Sequence, residues 1–248
     1  MPHDHAIQCI HDPLLVVLSY LVSVLGAFTA LQVAIGIPAA RTQAQRRMAI
    51  VGGGAAMGGG AIWAMHFIAM LACRMDVAVA YDPGLTLLSA LMAIGACMLG
   101  LSIAGTGLFS WGKLAVAGTC MGLGVAAMHY TGMAAMRMPA TAHYDAGVVA
   151  LSVVIAIVAS AAALWLAFNL RGWVQMLGSA LVMGVAVCGM HYTGMYAVSF
   201  VPTGEAAVAG GMGGAYLGMG VFMVTTVLLS AMLVTILLRR QRRAAVTI

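Results

Sequence analysis

The stretch Gly118-Thr-Cys-Met-Gly-Leu-Gly-Val-Ala-Ala-Met-His-Tyr-Thr-Gly-Met-Ala-Ala-Met136 decides the fold. Together with the residues from Leu114 it is long enough to cross a hydrocarbon core of about 30 Å as a helix rising ~1.5 Å per residue. It holds no formal charge and one histidine, His129. In lipid a segment must satisfy its own backbone polar groups, which a helix does. The rest of the chain is of the same material. Of 248 residues, 63% are hydrophobic and only 7% charged, with a mean hydropathy of +1.06. A soluble domain has about a quarter of its residues charged. Eleven Lys and Arg with six acids cannot cover a soluble surface, which excludes a soluble enzyme. The net charge of +5 does not mark a nucleic-acid partner, because the basic residues flank the apolar spans.

Seven apolar stretches read as transmembrane helices: Leu14 to Ile37, Met48 to Ala72, Gly84 to Phe109, Leu114 to Met136, Gly147 to Leu170, Trp173 to Phe200 and Tyr216 to Leu238. The strand-length alternation of a membrane barrel is absent. Orientation follows from the positive-inside rule. One set of connections holds Arg41, Arg46, Arg47, Lys113, Arg171, Arg239, Arg240, Arg242 and Arg243; the other holds only Arg74 and Arg137 with all six acids, Asp4, Asp12, Asp76, Asp82, Asp145 and Glu205. The expectation is an all-α membrane protein with its N-terminus outside and C-terminus inside. It divides into an outer segment 1–12, a membrane domain 13–238 and a basic cytoplasmic tail 239–248. No basic region precedes the first span, which therefore reads as a span and not as a cleavable signal.

The histidine of the opening stretch recurs. Trp63-Ala-Met-His-Phe-Ile-Ala-Met70, Ala126-Ala-Met-His-Tyr-Thr-Gly-Met133 and Cys188-Gly-Met-His-Tyr-Thr-Gly-Met195 place His66, His129 and His191 at intervals of 63 and 62 residues. That interval is two spans, so the protein is three two-helix repeats, with the motif on every even span. Met65, Met128 and Met190 precede the histidines, Met70, Met133 and Met195 follow four later, and Gly59, Gly122 and Gly184 stand seven before. Arg74 and Arg137 lie eight after the first two histidines, and Tyr81-Asp82 and Tyr144-Asp145 follow further on. Each His lies beyond its span's midpoint, roughly 5–9 Å toward the outer face. The pairs Gly54 and Gly58, Gly118 and Gly122, and Gly214 and Gly218 have the spacing of close helix packing.

His and Met four apart share a helical face. Imidazole with thioether suits copper, and the thioether favours Cu(I). Mg²⁺ and Ca²⁺ want oxygen ligands, and zinc takes His, Cys and carboxylate. Haem is the rival cofactor, since His/His and His/Met axial pairs are standard. The expected metal ligands are His66, His129, His191, Met70, Met133 and Met195. Further ligands, or groups supporting them, are Met65, Met128, Met190, Cys188, Cys73, Met136, Tyr130, Tyr192, Thr131 and Thr193. The competing reading is packing methionines and histidines that hydrogen-bond between helices.

Met128-His129-Tyr130-Thr131 and Met190-His191-Tyr192-Thr193 resemble the signature of the MHYT family of bacterial integral-membrane sensor domains, with Met65-His66-Phe67-Ile68 a diverged first copy. The resemblance covers nearly the whole chain. It implies a seven-helix sensor in the bacterial cytoplasmic (inner) membrane that binds copper near the outer face. The expected stimulus is a diatomic gas (O2, CO or NO), or copper or redox state. In that family the domain is often fused to cytoplasmic cyclic-di-GMP turnover domains, so a cytoplasmic signalling partner is expected and catalysis by this domain is not. The alternatives are a copper carrier or channel, with Met48, Met57, Met121, Met176 and Met183 continuing a path inward, and a haem or copper membrane oxidoreductase.

The remaining features are secondary. His3, His5, Cys9 and His11 could bind or deliver a metal on the outer side, or belong to a solvated tail. The five cysteines show no paired spacing and suggest neither a zinc motif nor a disulfide framework. Arg74, Asp82, Arg137 and Asp145, with His143 and the two tyrosines, could form a polar lid over the site. The only lysine, Lys113, lies in an inner connection, so a retinal Schiff base is excluded.

Overall fold

The computed structural model describes residues 7–203 and 211–246, with side chains up to Leu238 except that of Ala215. His3, Asp4, His5 and Glu205 lie outside the described residues. Among the described residues seven helices are long and apolar enough to cross a membrane: α1 (Pro13–Ala34), α2 (Gln43–Ala72), α3 (Pro83–Ala104), α4 (Trp111–Ala134), α5 (Ala146–Asn169), α6 (Trp173–Tyr196) and α7, which is helical over Gly214–Val246. The helix of the seventh span thus continues through the basic residues beyond Leu238 and does not end there.

Helices α1 to α6 form a closed ring in chain order, with α6 packed back against α1. The even members α2, α4 and α6 meet pairwise at the axis, while α7 packs outside the ring against α1 and α2. Many large apolar side chains face outward, among them Leu14, Leu91, Val154, Val182 and Met223, as expected when lipid is the solvent.

The outer ends are tied by short strands that the sequence reading did not anticipate, since two-residue pairings carry no period. β1 (Ile10–His11) pairs with β2 (Cys73–Arg74), β3 (Ala80–Tyr81) with β4 (Met136–Arg137), and β5 (Ala140–Tyr144) with β6 (Val198–Pro202). β7 (Met212–Gly213) adds to the free side of β3. In each repeat the strand entering the odd helix pairs with the strand leaving the motif helix. The aspartates Asp12, Asp82 and Asp145 sit at this junction. Each caps its helix, accepting from Leu14 N at 2.9 Å, Leu85 N at 2.9 Å and Val148 N at 2.8 Å, which satisfies amides a helix start leaves free. Each also donates its own amide to the last turn of the motif helix, at Ala72, Ala135 and Ala197, in all cases at 2.8 Å. The expected polar lid is therefore a set of helix caps, with Arg74 paired to Asp12 and Arg137 to Asp82. The third copy has Ser199 where an arginine would stand, and Asp145 only caps.

One helix departs from regular geometry. Ala55–Trp63 of α2 is π-helical, so the first motif carries an extra residue on its inner side. A Cβ on Gly58 would lie 2.4 Å from the Ala93 carbonyl oxygen, as one on Gly122 would lie 2.4 Å from Ile157 Cα. A Cβ on Gly59 would meet only the Ile94 side chain at 3.5 Å. Gly58, eight before its histidine, is thus the counterpart of Gly122, and the seven-residue alignment to Gly59 is corrected by the π-helical insertion.

Candidate metal centre

His66, His129 and His191 come together on the axis, each buried to 1% exposure or less. They stand five or six residues from the outer ends of their helices, roughly 10 Å or more outside the span midpoints, somewhat farther out than the sequence suggested. His66 Nδ1 lies 3.0 Å from His191 Nδ1 and 3.2 Å from His129 Nδ1. The rings are 4.9–5.2 Å apart and steeply inclined. Three Nδ1 atoms therefore converge, and the three Nε2 atoms are buried without a hydrogen-bond partner.

The outward-facing ring edges explain a residue the sequence reading passed over. A Cβ on Gly132 would lie 2.3 Å from His66 Nε2, and one on Gly194 would lie 2.3 Å from His129 Nε2. The imidazoles of His66 and His129 thus rest on the bare backbone of the next motif helix, three residues after that motif's own histidine. The signal was in the repeated Thr-Gly-Met; the first motif has Ala69 in that place.

The aromatic residue after each histidine extends the centre outward. Phe67, Tyr130 and Tyr192 pack edge-on against their histidines at 5.0, 4.9 and 4.9 Å. Tyr81, Tyr144 and His11 pack in turn on these rings at 5.8, 5.8 and 5.3 Å. The residue before each capping Asp is thus contributed by the next repeat around the ring. Tyr130 donates to Ser152 Oγ at 2.7 Å, since that hydroxyl is itself spent on the Val149 carbonyl. In the first copy Phe67 has no hydroxyl, and Trp63 Nε1 donates instead to the equivalent Ser89 Oγ at 3.0 Å. The divergence of the first motif is compensated within it. Tyr192 OH closes no hydrogen bond.

Other expected site residues are distributed around this centre. Met70, Met133 and Met195 are buried in the outer apolar cluster with Phe67, Tyr81 and Phe200. Met128 and Met190 lie in the inner one, and Met65 is buried to 1%. Thr131 reaches Met92 Sδ at 3.6 Å, and Thr193 bonds back to the Gly189 carbonyl at 2.8 Å. Neither threonine bonds an imidazole. Cys188 is half-buried with a free thiol. Met136 sits on β4 opposite Tyr81. Cys73, expected as a further ligand, is disulfide-bonded to Cys9 across 64 residues, at the outer rim and away from the three imidazoles. That bond also corrects the expectation of no disulfide. Strand pairing β1–β2 brings the two together, and no sequence spacing reports that.

One turn inward from the centre lies an apolar cavity of about 30 Å³. Its lining includes Ile62, Val125 and Val187, each four residues before a histidine, and Met57, Met121 and Met183. The π-helical insertion explains why Met57 is nine before its histidine while the other two are eight before theirs.

Fold and site define a multi-pass membrane protein built from three cyclic helix pairs around a buried tri-histidine centre. A family model described as "Bacterial signalling protein N terminal repeat" (MHYT) matches residues 59–117 and 122–180. The chain belongs to the MHYT family of signalling domains. It is 41% identical over 235 residues to the bifunctional diguanylate cyclase/cyclic di-GMP phosphodiesterase MucR of Pseudomonas aeruginosa, covering 92% of this chain and 34% of the relative. It is 40% identical over 205 residues to the cyclic di-GMP phosphodiesterase NbdA of the same organism, covering 79% of this chain and 26% of the relative. The signaling protein YkoW of Bacillus subtilis is 29% identical over 205 residues, covering 78% and 25%. The chain thus spans a quarter to a third of the length of these relatives, and the part matched is their MHYT region. No solved structure matches.

Proposed function

We propose that the tri-histidine centre binds copper as Cu(I), and that the domain is a sensor in the bacterial inner membrane responding to a diatomic gas (O2, CO or NO) or to copper or redox state. The convergence of three Nδ1 atoms carries this reading. Nitrogens bound in a plane at ~2.0 Å from one ion stand about 3.5 Å apart, so the separations of 3.0 and 3.2 Å need open by only a few tenths of an ångström. Three neutral imidazoles presenting lone pairs inward are a borderline-to-soft donor set, and the thioethers of Met70, Met133 and Met195, one turn farther out, are soft. Copper held there would supply a centre able to take a small π-accepting ligand. The protein supplies the rest. Gly132 and Gly194 fix the ring planes, the buried helices exclude water, and the apolar cavity beneath gives a diatomic molecule a dry volume of its own size.

The donor set does not fit haem. The rings pack within 4.9–5.2 Å of one another, and the adjoining cavity of about 30 Å³ has no room for a macrocycle. Copper passage is the second reading, supported by Met57, Met121 and Met183 on the axis inside the centre. Vesicle uptake of copper that is abolished by Leu substitution of these three would favour it.

By analogy with its relatives, the signal passes to a cytoplasmic cyclic-di-GMP turnover partner through α7, which packs against α1 and α2. The test is elemental analysis of the purified protein, with and without added copper, against a variant carrying His66→Ala, His129→Ala and His191→Ala. Near-stoichiometric copper that disappears in the variant is expected. A folded wild-type protein free of metal after copper supplementation would leave the triad as a hydrogen-bonded packing device, with His66 Nδ1–H shared between its two neighbours.

A further inference from the structure

The three aromatic stacks end differently at the outer rim. Two end on tyrosine; the third ends on His11, exposed, over Tyr192. Strand register places His11 opposite Cys73. Cys9, two residues earlier, has its sulfur 3.6 Å from His11 Nε2 and 3.8 Å from Nδ1, and it is bonded to Cys73. Two sulfurs and an imidazole are therefore gathered within reach of one ion, at the outer end of the stack that runs through Tyr192 to His191.

We propose that Cys9, Cys73 and His11, in the dithiol form, are a second metal site that captures Cu(I) at the outer surface, opened and closed by thiol–disulfide exchange. Opening consumes a dithiol reductant: two electrons and two protons pass to the Cys9–Cys73 bond, which breaks to two thiols while the donor's thiols join as its disulfide. Binding of Cu(I) then releases the two thiol protons and gives two thiolates and one neutral imidazole. The thiolate is the ligating form of cysteine, and a three-coordinate, thiolate-rich set favours Cu(I). Zinc takes four ligands in a structural site. The adjacent carboxylate that would serve, Asp12, is occupied by the amides of Leu14 and Leu15 and by the Arg74 guanidinium. Closing consumes a disulfide oxidant: it takes two electrons from the two thiolates and two protons from solvent and leaves as a dithiol, while the Cys9–Cys73 bond re-forms and Cu(I) is released.

The purified chain in detergent is titrated anaerobically with Cu(I) against a chromogenic chelator, once in its disulfide form and once after phosphine reduction. The reduced form is expected to bind one equivalent more than the oxidised form, with sulfur among the ligands by X-ray absorption. Cys73→Ser should abolish that equivalent, and His11→Ala should weaken it at least tenfold. The comparison of two redox forms of the same protein needs no variant. The tri-histidine centre contributes equally to both forms, so failure here is distinguishable from failure of the copper-sensor reading. Equal stoichiometry in the two forms, an extra equivalent that survives Cys73→Ser, or displacement of the extra Cu(I) by equimolar Zn(II) would each overturn the assignment.

Discussion

Gly132→Ala puts the architecture of the centre to a direct test. The added methyl would lie 2.3 Å from His66 Nε2, 2.9 Å from Cδ2 and 3.4 Å from Cε1. Ordinary contact begins near 3.4 Å, so the ring must retreat by about 1 Å or α4 must yield by the same amount, an overpacking that costs about 1–3 kcal/mol. Retreat leads toward the axis, where His66 Nδ1 is already 3.0 and 3.2 Å from its neighbours. The ring therefore leaves its ligating position whichever way the strain is relieved. At about 2–4 °C per kcal/mol for a chain of this size, thermal unfolding in detergent should fall by several degrees. Copper affinity should drop ~10- to 100-fold, the range typical of lost ligand orientation. Gly189→Ala is the control: it lies in the third motif with nothing within 4 Å of the new methyl, and relief of glycine's backbone entropy should make it neutral or stabilising by up to ~1 kcal/mol. If the two variants melt together at the wild-type temperature, the imidazoles do not lean on these glycines and the site geometry is wrong.

Three further outcomes are expected. Trp63→Phe removes the Nε1 donor to Ser89 Oγ and should destabilise by about 0.6–1.7 kcal/mol. Adding Phe67→Tyr to that variant should recover much of the loss by recreating the Tyr130–Ser152 pair, a non-additivity that a double-mutant cycle measures. Gly122→Ala drives a methyl to 2.4 Å from Ile157 Cα and 2.8 Å from the Ala156 carbonyl; backbone cannot swing aside, so a melting loss at least as large as that of Gly132→Ala is expected. The amide of Leu85, and then the guanidinium of Arg137, hold the Asp82 carboxyl below its ordinary pKa. Its stabilising contribution is thus complete above the ordinary value near 4 and is lost as pH falls through the lower folded value. An acid-melting series should show that loss, and Asp82→Asn should flatten it.

The parts of this structure that were legible in the sequence are those the bilayer makes expensive to vary. Span number, the two-span period and the conjunction of His66, His129 and His191 follow from composition and from three ionisable residues where lipid tolerates few. The capping aspartates were visible only in part. Asp82 and Asp145 stood out beside tyrosines, but Asp12 follows His11, and only the structure shows that histidine occupying a tyrosine's place. The serines Ser19, Ser89 and Ser152 are spaced by 70 and 63 residues, a usable signal that a repeat anchored on the histidines alone does not bring out. Other features have no local signature. The π-helical insertion shifts the first motif by one residue without altering its composition. The disulfide depends on strand pairing between segments 64 residues apart.

The contacts also show how the three repeats depend on one another. His66 of the first motif rests on Gly132 of the second, and His129 of the second rests on Gly194 of the third. The rim follows the same rotation, with Tyr81 over Phe67, Tyr144 over Tyr130, and His11 closing the circle over Tyr192. Two of the three histidines are thus backed by a helix of another repeat, so the isolated first or second helix pair lacks the surface against which its imidazole rests. The seventh helix breaks the symmetry of the ring: among the described residues α7 packs chiefly against α1 and α2, with Leu229 against Gly60 in the π-helical segment. That segment ends three residues before His66. The seventh helix therefore touches the motif helix at two levels: Leu217 and Val221 lie in one cluster with Phe67 and Met70 beside His66, and Leu229 meets the π-helical stretch nearer the inner side, so a shift of the first motif helix is felt along both.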